Sequence, residues 1–556
     1  MAKATLVGSG GLKIDPKSGY CNTNCTYYSK RKQVTFPQDE YLDLPTFISS
    51  QNHSGQIALI DFATGEKIPY RQVWQNVRSL AAGLLQMGVK KGDVILLVSA
   101  NSVHFPIISI AIMSIGAIVT TTNPLNTARE IGKQAADSEA MLAFVTPELR
   151  SKLAHTNLPL VLISTEDYVL PSDVHQATNS KNVSIRSLTE LMASDTTQMP
   201  NVKIHQDDTA TLLYSSGTTG VSKGVLSTHR NLISLVCVVL TRFKKATFVC
   251  TVPMFHIYGF GAFVCGSLAS GSTTVVLSKF ELSDMLGAVE KYRANYLPLV
   301  PPILVALTKT DISSKYGLGS LDTVLCGGAP LDKEATQEFI SKFPNIALLQ
   351  GFAMTETMGM GASMDTVEES RHYGSVGMIS PNIEAKIVDP ESGIDLPPNQ
   401  RGELWLRGPS IMKGYFSNPE ATSSALDKNG WLHTGDICYI DTEGYVFVVD
   451  RLKELIKYKA YQIAPAELEA ILLSHSEIAD AAVIPFPDKE AGQVPMAYVV
   501  RKQGSTLSEA TVIDFVAKQV APYKKVRRVA FVNGIPKTAV GKILRKDLIK
   551  LSTSKL

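Results

Sequence analysis

Residues 215–224, Ser-Ser-Gly-Thr-Thr-Gly-Val-Ser-Lys-Gly, narrow the possible folds more than any other part of the chain. They follow an apolar run of strand length at 209–214 and lead into a second short one, Val225-Leu226-Ser227. The glycines Gly217, Gly220 and Gly224 permit backbone angles that a Cβ discourages. The hydroxyls of Ser215, Ser216, Thr218, Thr219 and Ser222, with the backbone N–H groups between them, can surround an anion. Lys223 adds a mobile positive charge. Such a loop holds the phosphates of a nucleotide. It is not a Walker A loop, whose Gly-Lys-Ser/Thr opens directly into a helix. Here Gly224 and a strand follow Lys223, and a helical pattern starts only after His229-Arg230-Asn231.

The chain has 556 residues, enough for three or four structural units. An apolar fraction of 45% and a charged fraction of 19% fit a packed enzyme and exclude a disordered chain. At a net charge of +3 no broad nucleic-acid surface is implied. Seven scattered cysteines show no disulfide framework and no zinc spacing, so free thiols in a reducing compartment are expected. No secretory signal opens the chain. The most apolar stretch, residues 106–119, is too short to span a bilayer and reads as a buried helix. The last three residues, Ser554-Lys555-Leu556, match the peroxisomal import address, so an import receptor is an expected partner and the peroxisome the expected location.

Strand-length runs at 94–98 and 160–163 alternate with amphipathic helices such as 73–87, which stops at Gly88; this is an α/β pattern. Residues 1–50 read as an irregular lead-in and 51–450 as a large N-terminal domain. A hinge falls at 451–457, and a small α+β domain fills 458–553 before the 554–556 tail. The end of the small domain is basic, with Lys524, Lys525, Arg527, Arg528, Lys537 and Lys542 among its charges. A solvated face and a phosphate-binding surface both account for that run.

Three further constellations follow. Gln350-Gly351-Phe352-Ala353-Met354-Thr355-Glu356 sets an aromatic near a small residue, then a hydroxyl and a carboxylate. The ring can lie against a purine; Thr355 and Glu356 can meet a phosphate and its Mg²⁺. Trp431-Leu432-His433-Thr434-Gly435-Asp436 puts an acid after a glycine turn, where it can accept from both ribose hydroxyls, with Arg451 in reach. The segment 536–545 carries Lys542 after Gly541, on a loop able to reach a distant site. Taken singly, these are also a strand corner, a β-turn aspartate and a surface lysine.

Together and in this order, the four resemble the acyl-adenylate-forming superfamily of acyl-CoA synthetases, coumarate-CoA ligases, luciferases and peptide-synthetase adenylation domains. The resemblance runs from about residue 40 to the end. It implies two stacked α/β subdomains, a β-barrel-like subdomain and a mobile C-terminal domain. It also implies ATP and CoA as co-substrates with Mg²⁺. The carboxylate is first joined to AMP with release of pyrophosphate; CoA thiolate then displaces AMP. Positive groups at the α-phosphorus stabilise the first transition state. By resemblance Ser215, Ser216, Gly217, Thr218, Thr219, Gly220 and Lys223 hold the β- and γ-phosphates, Thr355 the α-phosphate and Glu356 the Mg²⁺. Gly328, Gln350 and Gly351 frame the adenine; Asp436 and Arg451 hold the ribose; Lys542 bridges carboxylate and α-phosphate. For the second step the C-terminal domain turns about Lys453. Lys457 and Gln462 then face the acyl-adenylate, and Lys279, Lys459 and Ala460 face CoA. Ala460 stands where glycine is usual, and Phe352 where tyrosine is.

Within the superfamily the chain looks most like plant coumarate-CoA ligase-like enzymes, through Met254-Phe255-His256-Ile257-Tyr258 and 454–459. It departs from true coumarate ligases at Trp405 of the 402–408 box and at 357–361 after Glu356. It departs again at Ala262, where a pocket serine is common. His256, Tyr258, Phe260, Ala262, Gly328, Gly351, Phe352 and Met360 are the pocket candidates, with His256 also a catalytic candidate. Fewer hydroxyls and an adaptable methionine favour a bulky, mainly aliphatic acid. The lead-in at 18–31 resembles a peroxisomal subgroup that activates jasmonate precursors, cyclopentanone-bearing octanoic and hexanoic acids. A hydroxycinnamate or medium-chain fatty acid ligase shares every catalytic residue and remains the alternative.

Overall fold

The computed structural model describes residues 6–7, 13–51, 53, 55–163, 184–197, 202–215, 222–242, 245–328, 331, 333–451, 456–459, 461–463, 465–536, 543 and 545–553. Its first sheet has eight strands. The parallel strands Val94–Val98, Ile118–Thr121 and Ala140–Val145 occupy the middle. Every residue of Val94–Val98 is buried, as a strand covered on both faces requires. The apolar stretch becomes the helix His104–Ser114, buried from Phe105 to Met113, and then the strand Ile118–Thr121. A helix apolar all round belongs inside a large protein. Among the described residues no helix is long and apolar enough to cross a membrane.

Thr209–Ser215 runs parallel to Ile118–Thr121 and pairs antiparallel with Lys223–Thr228, so the two strands expected to flank the glycine-rich segment are present. Ser215 and Lys223 are cross-strand partners, which brings the two ends of the Gly/Ser/Thr loop together. The helix His229–Arg242 follows directly, beginning at His229 itself and not after Asn231 as expected. A second sheet, of nine strands, has a parallel centre that includes Thr247–Cys250, Tyr296–Leu299, Thr323–Cys326 and Ala347–Met354. One continuous apolar core joins the two α/β layers.

A six-stranded antiparallel sheet forms the third subdomain. In its strand Leu432–Ile440 burial alternates residue by residue, the pattern of a sheet with one face on the core. Two of its strands, Tyr20–Cys21 and Thr26–Tyr28, come from the segment expected to be irregular. Tyr27 is fully buried there. Arg31 continues the attachment through ion pairs to Asp365 (2.6 Å) and Glu369 (2.8 Å).

The sheet's last strand is Val446–Arg451. Ile456–Tyr458 already belongs to the five-stranded C-terminal sheet, so the link between the two sheets is shorter than 451–457. Most of that sheet is the long hairpin of Ile478–Asp488 with Gly492–Arg501. The helices Pro465–Leu473, Glu509–Ala517 and Arg545–Thr553 complete a small α+β domain. Part of its basic run is structural. Arg545 pairs with Glu469 (2.5 Å), and the Arg528 guanidinium lies 4.2 Å from the Phe486 ring centroid.

Candidate active site

The site lies at the carboxyl ends of the parallel strands of the nine-stranded sheet, where open α/β sheets place their ligands. Gly327 and Gly328 follow Thr323–Cys326, and Gly351 lies on the adjacent strand Ala347–Met354. Gly328 has φ +83°, a conformation that side chains resist. A Cβ at Gly327 would stand 3.6 Å from the carbonyl oxygen of Gly351. Gln350 is buried beside them.

The strand Ala347–Met354 runs into a single 3₁₀ turn, Thr355–Thr357. The Thr357 hydroxyl accepts from the Met354 N–H (3.1 Å) and donates to the Gly359 carbonyl (2.9 Å), which pins the turn. Met358 completes it in the left-handed region at φ 51°. Thr355 and Glu356 are thereby fixed and largely buried. Glu356 Oε1 accepts from Ser215 Oγ (2.9 Å) and from Tyr415 Oη (2.9 Å). The Lys223 ammonium lies 4.7 Å from the centroid of the same Tyr415 ring. The fold therefore gathers both ends of the glycine-rich loop, the Thr355–Glu356 turn and Tyr415 into one cluster. Burial and the Glu356 charge push the Tyr415 phenol well above its ordinary range, so it stays a donor.

Tyr415 is the residue that sequence reasoning missed. It sits on the two-residue strand Gly414–Tyr415, which pairs with Val225 and Leu226. A lone aromatic after a glycine gives no local signal of that contact. Ser216, Gly217, Thr218, Thr219, Gly220, Lys453, Ala460, Lys542 and the 554–556 tail lie outside the described residues.

Asp436 and Arg451 are register partners across two antiparallel strands. Asp436 is buried within Leu432–Ile440 rather than on the expected turn. Gly435 still supplies a positive φ of 71° inside that strand, and its N–H donates to Glu403 Oε1 (2.9 Å).

Beside this cluster is an apolar cavity of about 110 Å³. His256, Tyr258, Ala262, Gly328 and Gly351 line it, as expected, together with Leu235, Val239, Phe248 and Tyr296. Phe260 corrects the expectation: it is fully buried in the core and does not line the cavity. The helix Ile257–Gly259 and the π-helical turn Phe260–Gly266 that follows point successive residues in different directions, and position 260 falls inward. Phe352 is half-buried, its ring 3.2 Å from where a Cβ on Gly361 would stand. Met360 pairs with Ala353, and its side chain is outside the described atoms.

His256 caps the helix Ile257–Gly259: its Nδ1 accepts from the Tyr258 N–H (3.3 Å). Burial pushes its pKa down to about 4, so the ring is neutral near pH 7 and its proton is on Nε2. Tyr258 donates to the Leu325 carbonyl (2.9 Å), which fixes its ring in the cavity wall.

Among the expected CoA contacts, Lys279 is exposed on the large domain and paired with Glu281 (2.6 Å). Lys457 and Lys459 lie on the hairpin of Ile456–Tyr458 with Tyr461–Ile463, where Lys457 faces Gln462 in register. Lys459 takes φ 53° at the hairpin turn. No group of three metal-ligating side chains occurs among the described residues.

This arrangement is that of an enzyme that adenylates acids. The chain belongs to the AMP-binding enzyme family, which matches residues 47–416; the AMP-binding enzyme C-terminal domain matches 467–542. It is an AMP-forming acid–CoA ligase. It is 60% identical over 98% of both chains to the probable CoA ligase CCL5 of Humulus lupulus. It is 57% identical to the peroxisomal OPC-8:0-CoA ligase 1 of Arabidopsis thaliana, over 97% of this chain and 99% of that one. Among solved structures, o-succinylbenzoate CoA synthetase (MenE) of Bacillus subtilis, bound with its product analogue OSB-NCoA, superposes with a TM-score of 0.78. It is 26% identical over 92% of this chain and 99% of that one. ATP-bound MatB of Rhodopseudomonas palustris, at the same coverage and identity, superposes at 0.65.

Proposed function

We propose that this ligase activates a jasmonate precursor, an oxo-pentenyl-cyclopentane octanoic or hexanoic acid, in the peroxisome, where the CoA thioester feeds β-oxidation. The observation that carries this reading is the cavity: its wall is almost wholly apolar, with Ala262 and six glycines where bulk or a hydroxyl would otherwise stand. Such a wall suits an aliphatic, ring-bearing chain and offers a phenol little to bond. The 57% identity to an OPC-8:0-CoA ligase and the Ser554-Lys555-Leu556 tail support the same reading.

In the first step a carboxylate oxygen of the acid attacks the α-phosphorus of ATP and pyrophosphate leaves. Ser215, Lys223 and the residues 216–220 hold the β- and γ-phosphates, and Thr355 the α-phosphate. Gly328, Gln350 and Gly351 frame the adenine, and Asp436 and Arg451 hold the ribose. Mg²⁺ binds with few protein ligands and keeps waters and phosphate oxygens, so one fixed carboxylate, Glu356, fits it. When bound, the cation neutralises charge on the phosphates. Lys542 brings positive charge to the carboxylate and α-phosphate. In the second step the CoA thiolate attacks the acyl carbon and AMP leaves, with Lys279, Lys459 and Ala460 toward CoA. Lys453, Lys457 and Gln462 are the residues proposed to meet the acyl-adenylate. We read the domain orientation seen here as the thioester-forming one: the chain superposes at a TM-score of 0.78 on the relative that holds a CoA product analogue, and on MatB at 0.65 with ATP and 0.64 without it.

The test is CoA-dependent AMP release across cyclopentanone-bearing octanoic and hexanoic acids, medium-chain fatty acids and cinnamates. The cyclopentanone acids should give the highest kcat/KM. A cinnamate in first place replaces this reading with the hydroxycinnamate one.

A further inference from the structure

The two domains meet at a buried three-residue ionic contact. Lys524, in the C-terminal domain, places its ammonium 3.0 Å from Glu130 of the large domain and 2.9 Å from Glu467 of its own domain. The three side chains are only 11%, 16% and 28% exposed. Beside it the Tyr523 hydroxyl donates to Asn126 Oδ1 (3.1 Å), again across the domain boundary. Lys152 holds that loop of the large domain by donating to the carbonyls of Pro124 (2.6 Å) and Asn126 (2.8 Å).

Glu130 is rigid for a separate reason. Its other oxygen, Oε2, accepts from the N–H (2.8 Å) and hydroxyl (2.9 Å) of Thr127, closing the capping box of the helix Ala128–Asp137. One carboxylate thus caps a helix with one oxygen and faces the other domain with the second. On the opposite side the Tyr523 ring stacks on Tyr461, with centroids 4.2 Å apart. Tyr461 belongs to the hairpin that carries Lys457 and Lys459. The contact therefore runs from a fixed helix start in the large domain to the hairpin assigned above to the thioester step.

When the small domain rotates, Glu467 travels with Lys524 and Glu130 does not. The Glu130 pair and the Tyr523–Asn126 bond must break. We propose that Lys524 is a positioning residue: through Glu130 it latches the C-terminal domain in the thioester-forming orientation, and its release accompanies the return to adenylation. This rests on the two-step reading and on the orientation assigned above.

Three variants test it: Lys524→Met, Lys524→Arg and Glu130→Gln. Glutamine keeps the capping box, since its amide oxygen still accepts from Thr127, while the charge facing Lys524 is removed. Each half-reaction is measured alone, as pyrophosphate release without CoA and as thioester formation from supplied acyl-AMP and CoA. Lys524→Met and Glu130→Gln should each slow thioester formation roughly tenfold, the scale of one lost charge-assisted bond, and leave adenylation within about twofold. Combining them should cost little more than either alone, and Lys524→Arg should restore most of the rate. Equal loss in both half-reactions, loss in adenylation alone, or no loss in either overturns the latch; so does an arginine variant as slow as the methionine one. The ratio of the two half-reactions is read separately for the cyclopentanone octanoic acid and for coumarate. It stands whichever acid proves to be the substrate.

Discussion

The Oε1 atom of Glu356 lies 2.9 Å from the Oγ of Ser215, a residue 141 positions earlier in the chain. That bond ties Ser215, at the start of the glycine-rich loop, to the Thr355–Glu356 turn. Glu356→Gln keeps an oxygen for Ser215 and Tyr415 but removes the charge proposed for Mg²⁺. Loss of one preorganised electrostatic group at a transition state costs roughly 10²–10³ in rate. Pyrophosphate release should fall by that factor while thermal unfolding stays near wild type. Full adenylation by the glutamine variant would remove Glu356 from the metal role.

Lys542→Ala should abolish adenylation and leave thioester formation from supplied acyl-AMP nearly intact. The motive is its position after Gly541, within the segment 536–545 of the small domain. Equal loss in both half-reactions would contradict the division of labour between the two domain orientations.

How much of this was legible follows from the range of the interactions. The strand Thr209–Ser215, its return Lys223–Thr228 and the helix His229–Arg242 were all readable, because each is a local pattern of apolar spacing and glycine. The lead-in strands Tyr20–Cys21 and Thr26–Tyr28 were not, because residues so few become strands only by pairing: Thr26–Tyr28 with Glu384–Val388 far along the chain, and Tyr20–Cys21 with Thr26–Tyr28. Tyr415 was hidden for the same reason: its partner Glu356 is 59 positions away. Lys524 looked like one charge in a basic run, and only the fold brings Glu130, 394 positions distant, against it. Phe260 shows the converse error. Proximity in sequence to His256 and Tyr258 placed it in the pocket, whereas helix geometry turned it into the core.

An N-terminal fluorescent fusion of the full chain should give peroxisomal puncta, and deleting Ser554-Lys555-Leu556 should render it cytosolic. A receptor-read tail acts only when free at the terminus. Puncta that survive the deletion would assign import to another segment.

Stability should fall as the pH drops from about 6.5 toward 4. His229 is fully buried, and its Nδ1 accepts from the Leu44 N–H (3.0 Å). Burial pushes its pKa down to about 4. In the unfolded chain the ring titrates near 6.5, so between those values the unfolded state binds the extra proton and is favoured. The stabilisation is complete above about 6.5 and lost as pH falls through about 4, amounting to about 3 kcal/mol for this residue. His256, shifted the same way, adds to the slope. Urea unfolding at a series of pH values checks it, with His229→Asn expected to flatten the curve.

The cavity wall offers the sharpest test of the acid. Ala262 lines it within the turn Phe260–Gly266, facing a space bounded by Leu235, Val239 and Phe248. Ala262→Ser puts a hydroxyl against that wall. Burying it without a partner costs about 1–3 kcal/mol. The cyclopentanone acid offers its ring ketone as an acceptor only, whereas the phenol of a hydroxycinnamate can both donate to the new hydroxyl and accept from it. The substitution should therefore lower kcat/KM for the cyclopentanone acids by roughly five- to a hundred-fold relative to coumarate, each ~1.4 kcal/mol being tenfold. The change should appear in adenylation, the half-reaction that first meets the acid. Pyrophosphate release with both acids and both proteins measures it. An unchanged ratio, or coumarate as the better substrate of the unaltered enzyme, would transfer the assignment to an aromatic acid.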